Sequence, residues 1–204
     1  VDLRSGELRA HDPSGMMSKI ASTTVGSSAD CPRWMAFLAE TTDNDAELIA
    51  YLHRLAGYIL TGSTREQSFT FIYGTGGNGK SVFIDTLLHV LGDYGRTAPM
   101  SVFMAKGRNE HPTELAGLQG ARLVAANETN TNGAWDEARL KILSGGDRIA
   151  ARFMRGDYYE YTPNFKLVVV GNVKPTFSSV DAATRRRLHL VSFEHTPLVP
   201  DRDL

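Results

Sequence analysis

Residues 74–81 read Gly74-Thr75-Gly76-Gly77-Asn78-Gly79-Lys80-Ser81 and fill the pattern G-x-x-x-x-G-K-[ST] in full. Each residue type has a chemical reason to stand where it does. Glycines let the backbone curl until successive N–H groups face one point, and a following helix adds its positive end. A lysine at position 80 reaches the β- and γ-phosphates of a nucleotide, and a serine hydroxyl at 81 can ligate Mg²⁺. The plain alternative is a glycine turn between two elements. Context favours phosphate: an apolar strand-like run precedes the loop and an amphipathic helix follows it. The expected ligands are ATP and Mg²⁺.

A phosphate loop serves many reactions, so its partners decide the chemistry. Hydrolysis needs a carboxylate near the metal and the attacking water. Glu128 closes the apolar run "RLVAANE", and ligands of open α/β sheets gather at such strand ends. It is therefore the candidate catalytic acid and second metal ligand beside Ser81; otherwise it belongs to a polar loop. Asn172 closes "KLVVVGN" in the same way. It is a candidate for orienting water or sensing the γ-phosphate, against a simple Gly171-Asn172 turn. Arg185, Arg186 and Arg187 stand in a row before another strand. A basic triplet is ordinarily a solvated face, but a nucleotide between subunits calls for a neighbour's arginine to stabilise transition-state charge. At most one or two of the three can serve.

Between these points lies a basic stretch. Arg139, Lys141, Arg148, Arg152 and Arg155 surround a single acid, Asp147. Lys141, Arg148, Arg152 and Arg155 are the candidate contacts to single-stranded nucleic acid. "RIAARFMRGDYYEYT" alternates about a turn, as a hairpin does, with Arg155-Gly156-Asp157 at its tip as a glycine-assisted turn. Arg-Gly-Asp as an adhesion signal is set aside, since nothing else looks secreted. Tyr158, Tyr159 and Tyr161 suit base stacking, though alternating aromatics in a strand more often pack a sheet. His53, His89, His111, His189 and His195 lack ligand spacing, so no protein-ligated metal is expected.

These groups need a scaffold to hold them. Residues 1–30 form a poorly patterned arm, and 31–64 a helical segment with Asp43 or Asn44 as a cap and Gly62 as a stop. From 65 to 204 the rhythm changes. "SFTFIY", "ARLVAANE", "FKLVVVGN" and "LHLVSFEH" read as strands, with helices in "SVFIDTLLHVLG" and "AWDEARLKILSGG" between them. That order predicts an α/β core with a mostly parallel sheet flanked by helices, plus an inserted β-hairpin. The bulk numbers agree: 204 residues, 42% hydrophobic, 22% charged, net charge −1. A near-neutral chain has no global basic field, so any polyanion contact is local. One cysteine, Cys31, allows no internal disulfide and fits a reducing cytoplasm. No apolar run approaches the length that spans a bilayer, and no membrane partner is expected. A chain that opens on Val1 and stops at "VPDRDL" reads as a piece of a longer polypeptide.

Together the motifs carry a resemblance. "LRSGELRAHDP", "CPRWMAFL", "YLHRLAGYILTG", "FIYGTGGNGKSVF", "NETNTNGAWDEARLKILSGGDRIAARFMRGDYYEYTPNFKLVVVGNVKP" and "DAATRRRLHLVSFEHTPL" occur in order. The chain resembles the helicase portion of phage- and plasmid-encoded primase–helicases, related to poxvirus and satellite-phage enzymes of helicase superfamily 3. The resemblance implies an AAA+-like P-loop ATPase fold and a ring of subunits, expected to be a hexamer. ATP would lie at the interfaces and single-stranded DNA in the channel. Gly74 to Ser81 resemble the family's Walker A loop, Glu128 its Walker B acid and Asn172 its sensor. Lys141 to Arg148, with the hairpin beyond, resemble its DNA-facing motif. The arginine finger falls seven residues before Phe193, at Arg186, with Arg187 the alternative. Relatives often carry two acids in Walker B, whereas Asn127 precedes Glu128 here. The resemblance further implies a phage, prophage or plasmid protein in a bacterial cytoplasm, and a primase domain elsewhere in the full-length chain.

Three functions fit these readings: a DNA-unwinding ATPase, an ATPase that remodels or loads a replication complex without unwinding, and a degenerate nucleotide-binding fragment. DNA-stimulated ATP turnover separates the first from the second. Any turnover separates both from the third.

Overall fold

The computed structural model describes residues 1–3, 5–105, 113–128, 134–177 and 181–197. The element order is α1 (Pro32–Thr41), α2 (Ala46–Leu60), β1 (Phe69–Tyr73), α3 (Lys80–Leu91), β2 (Gly95–Thr97) and α4 (Thr113–Ala116). It continues with β3 (Leu123–Asn127), α5 (Glu137–Gly145), β4 (Ile149–Ala151), β5 (Tyr159–Tyr161), β6 (Lys166–Gly171), α6 (Ala182–Arg187) and β7 (Leu188–Ser192). Five strands form one sheet in the order β2-β3-β6-β1-β7, and every neighbouring pair is parallel. β4 and β5 make a separate antiparallel hairpin, Ile149 opposite Tyr161.

Side chains of a strand alternate between faces, and this sheet is covered on both. Phe69, Phe71, Val124, Ala126, Leu167 and Val169 point into one core with Trp135, Leu140, Leu143 and the hairpin's Ile149 and Ala151. Ile72, Leu123, Ala125, Val168 and Val170 point into the other, with Phe37 and Leu38 of α1, Leu52, Leu55 and Ile59 of α2, and Phe83 and Ile84 of α3. The strands therefore read as unbroken apolar runs. Both predicted features, the parallel sheet and the inserted hairpin, are present.

Several local expectations are corrected. The segment 31–64, expected to be helical, holds two helices joined by a tight turn. Asp43 and Asn44 occupy that turn with φ of +53° and +60°, and neither caps the second helix. Asp45 does, its Oδ1 accepting the Glu47 and Leu48 backbone N–H groups at 3.0 Å each. At the hairpin tip the left-handed residue is Arg155, φ +61°, not Gly156. Gly156 donates its N–H to the Phe153 carbonyl at 2.9 Å, and the paired strands stop at Ala151 and Tyr159. The arm also makes contacts its composition did not foretell. Ser22 donates to the Val90 carbonyl, Asp93 N–H donates to the Ile20 carbonyl, and the Tyr94 hydroxyl donates to the Lys19 carbonyl. Residues 19–22 thus dock on the C-terminal end of α3. Among the described residues no helix is long and apolar enough to cross a membrane.

Candidate functional site

The loop 74–79 runs from the carboxyl end of β1 into the first turn of α3. Gly74, Gly77 and Gly79 adopt φ of +149°, +78° and +86°, values that L side chains rarely take. Gly74 has a second constraint: a Cβ there would overlap the Phe193 carbonyl and the Asn78 amide. At Gly79 a Cβ would press on Thr41 and the Phe37 ring of α1. Trp34 stacks on Phe83 of α3, with ring centroids 5.6 Å apart. Helix α1 therefore buttresses the loop, a role no local pattern announced.

Lys80 is buried, and its ammonium donates to the Gly74 carbonyl (2.7 Å), the Thr75 carbonyl (2.9 Å) and Asn78 Oδ1 (2.8 Å). Burial lowers its pKa from the ordinary lysine value. Asn78 is equally enclosed. Its Nδ2 donates to the Phe193 carbonyl just beyond β7, so one side chain ties the loop lysine to the strand that follows the arginine helix. Ser81 is exposed at the start of α3.

Strand order brings the remaining groups to the loop. β6 lies between β1 and β3, so Glu128 after β3 and Asn172 after β6 emerge on the side where the loop leaves β1. Gly76 to Val82 line a cleft of about 380 Å³ with Asn127, Glu128, Val170, Gly171 and Asn172. Glu128 is half-buried; its N–H donates to the Val170 carbonyl at 2.7 Å, and burial raises its carboxyl pKa above the ordinary value. The side chain passes over Gly171, where any Cβ would overlap Glu128 Oε2 and the Phe71 ring. Lys80, Ser81, Glu128 and Asn172 are thus brought together. Asn127, noted in the sequence for not being an acid, lines the same cleft.

Arg186 is not part of that cluster. β7 is parallel to β1 with Leu188 beside Phe69 and Ser192 beside Tyr73. The arginines of α6 enter β7 at the end opposite the loop, roughly 13 Å away along the strand at about 3.3 Å per residue. That exceeds the length of an arginine side chain. Arg185 and Arg186 are exposed, whereas Arg187 turns inward and donates to the Ala183 carbonyl (3.2 Å) and Gln67 Oε1 (3.1 Å). This geometry separates the two candidates: Arg187 is engaged within its own chain.

The basic stretch divides in the same manner. Lys141 Nζ pairs with Asp181 Oδ2 at 2.6 Å, and Arg148 lies 3.8 Å from Glu160 across the hairpin. Arg152 and Arg155 are exposed toward the tip, with the Arg152 guanidinium 4.7 Å from the centre of the Tyr158 ring. Tyr159 and Tyr161 face the core and donate to the Ala116 and Leu115 carbonyls, leaving Tyr158 as the outward ring. Phe153 and Met154 are 54% and 77% exposed, apolar side chains at the tip that a charge-based reading overlooked. His111 lies outside the described residues.

Fold and site together define an α/β protein with a parallel five-stranded sheet flanked by helices and a P-loop-like turn after β1. Residues 72–187, more than half of the chain, match the family described as "Family of unknown function (DUF5906)", and residues 1–43 match "D5 N terminal like". The chain belongs to the former family, within the phage and viral primase–helicase group its motifs resemble. It is 30% identical over 151 residues to the protein named "Putative helicase L207/L206" of Acanthamoeba polyphaga mimivirus, covering 73% of this chain and 16% of that one. It is 30% identical over 176 residues to "Putative helicase 022R" of Frog virus 3 (isolate Goorha), covering 81% of this chain and 18% of that protein. The chain thus spans less than a fifth of these relatives' length. The C-terminal region of NrS-1 shares the fold at a TM-score of 0.68 and 15% identity, over 88% of this chain and 42% of that one.

Proposed function

We propose that the chain is the ATPase portion of a superfamily 3 type DNA helicase, turning over ATP at subunit interfaces to move on single-stranded DNA. The observation that supports this best is the split of the chemistry. Lys80, Ser81, Glu128 and Asn172 line one cleft, while the exposed Arg186 stands at the other end of the sheet. A site that needs an arginine it cannot reach is suited to completion by a second copy.

The residues fit a nucleoside triphosphate with a divalent cation. Left-handed glycines form the cradle, Lys80 already satisfies oxygen acceptors, and Ser81 and Glu128 are the hard oxygen ligands Mg²⁺ takes. Bound Mg²⁺ supplies charge neutralisation at the β- and γ-phosphates. Lys80 exchanges part of its carbonyl contacts for phosphate oxygens, with Asn78 Oδ1 still holding its ammonium. Glu128 accepts the proton of the attacking water, and Asn172 orients that water. Arg186 of a neighbour stabilises the charge that develops. The hairpin tip holds the strand through Arg152, Arg155 and the Tyr158 ring.

ATP turnover with and without an oligo-dT strand tests this reading. Turnover that rises on adding DNA supports it. Turnover indifferent to DNA supports an ATPase that remodels or loads, and absence of turnover would leave only nucleotide binding.

A further inference from the structure

Lys141 sits on α5, four residues before that helix ends at Gly145 and the chain passes through Gly146 into the short run to β4 of the hairpin. Asp181 is the cap residue just before the arginine helix: its Oδ1 accepts the Thr184 N–H at 2.7 Å and starts α6. Its other oxygen, Oδ2, takes Lys141 Nζ at 2.6 Å. A second contact lies beside the first, Glu137 Oε2 and Thr184 Oγ1 at 3.5 Å. Glu137 and Lys141 are four apart and share a face of α5, while Asp181 and Thr184 are three apart on α6. Two side chains of one helix therefore grip the first turn of the other. The Lys141 hydrogen bond, then the Thr184 N–H, hold the Asp181 carboxyl well below the usual carboxylate range. The far end of α6 is fixed separately, through Arg187 to Gln67. Leu140 and Leu143 are buried, so α5 is packed against the core as one body.

We infer that the Lys141–Asp181 pair is the positioning contact that couples nucleic acid held at the β4–β5 hairpin to the arginine helix, and so to turnover in the adjoining subunit. The inference rests on the function proposed above and adds a route to it. Lys141 acts through Asp181 and touches neither phosphate nor nucleotide. Strand binding at the tip shifts α5; the grip carries the start of α6 with it; Arg186 follows. The binding part of this coupling is reciprocal: to the extent that the strand tightens triphosphate binding at the interface, the triphosphate tightens strand binding by the same factor.

The test uses the full chain with an oligo-dT strand as probe. A half-exposed ion pair contributes little to stability, and Asp181→Asn retains the cap oxygen, so this variant folds. It keeps turnover without DNA and loses the DNA-induced rise, about 10-fold for an ordinary coupling between sites. Lys141→Met loses the same rise, Lys141→Arg restores it, and the double variant is no worse than either single one. The salt dependence of oligo-dT binding stays at the wild-type slope in both, since no phosphate contact is removed. Hydrogen exchange reads the coupling without turnover: oligo-dT slows the Thr184 and Arg185 amides in the wild type and not in Asp181→Asn. Wild-type stimulation in Asp181→Asn overturns the inference. So does a flattened salt slope confined to Lys141→Met, which would make Lys141 a phosphate contact. A wild type that neither binds the strand nor turns over ATP overturns the proposed function itself, and this coupling with it.

Discussion

The Glu128 carboxylate lies directly over Gly171, in space that any side chain at 171 would fill. Gly171 ends β6 without a left-handed φ, so its value here is the absent Cβ rather than backbone freedom. The carboxylate can thereby cross from the end of β3 toward the loop that carries Lys80.

Gly171→Ala is therefore expected to expel Glu128 from its place. Turnover should fall by about 10²-fold or more, the scale of a lost general base, matching Glu128→Gln, while nucleotide affinity changes little. Parallel measurement of turnover and binding of a fluorescent ATP analogue checks this. Wild-type turnover in Gly171→Ala would show that the carboxylate's position is immaterial.

Lys80→Ala should abolish hydrolysis and leave the fold intact. The side chain serves charge and hydrogen bonds at the loop, not the apolar core. Circular dichroism with a turnover assay separates a loss of chemistry from a loss of structure.

These two cases also mark what the sequence made legible. The phosphate loop and Glu128 could be read because strand-end polarity and glycine spacing are local signals. The clash at Gly171 and the buttress of Thr41 and Phe37 on Gly79 join residues distant in sequence, and no periodicity carries them. β2 escaped notice since it has only three residues and starts on Gly95. α6 has six residues with three arginines and no apolar repeat, so only its Asp181 cap could have hinted at it. At residues 43–45, three adjacent cap-type side chains offered a choice that only backbone geometry decides.

Arg186→Ala should fold and bind ATP yet lose about 10³-fold or more in turnover. Mixing it with Glu128→Gln subunits restores interfaces that join an intact cleft to an intact arginine. Verified co-assembly without recovery at any ratio would count against action on a neighbour. A larger loss from Arg187→Ala would move the role by one residue.

Lys166 makes a prediction about stability. Its ammonium is buried 4.1 Å from the centre of the Tyr58 ring, and burial, with Arg122 nearby, lowers its pKa to about 8. Between about pH 8 and the ordinary lysine value of about 10.4 the unfolded chain binds more protons, so this group makes stability rise with pH. Lys166→Met removes the rise and stabilises the fold by on the order of 1–3 kcal/mol at pH 7, with the gain vanishing above pH 10. Denaturant titrations of both proteins at pH 7 and 10.5 decide it; a mutant destabilised at pH 7 but not at pH 10.5 would mean that the cation contributes net stability.

At the hairpin, Arg155→Ala should weaken oligo-dT binding and flatten its salt dependence, because the slope counts neutralised phosphates. The DNA-induced rise in turnover should go with it. Unaltered slope and stimulation would transfer the contact to Arg152.

Displacement of a labelled strand from a forked duplex, followed with ATP and with a non-hydrolysable analogue, tests the central claim most directly. ATP-dependent displacement by the wild-type chain, lost in Lys80→Ala and in Arg155→Ala, is the predicted result. DNA-stimulated hydrolysis with no strand displaced over many turnovers would contradict unwinding and leave a motor that loads or remodels.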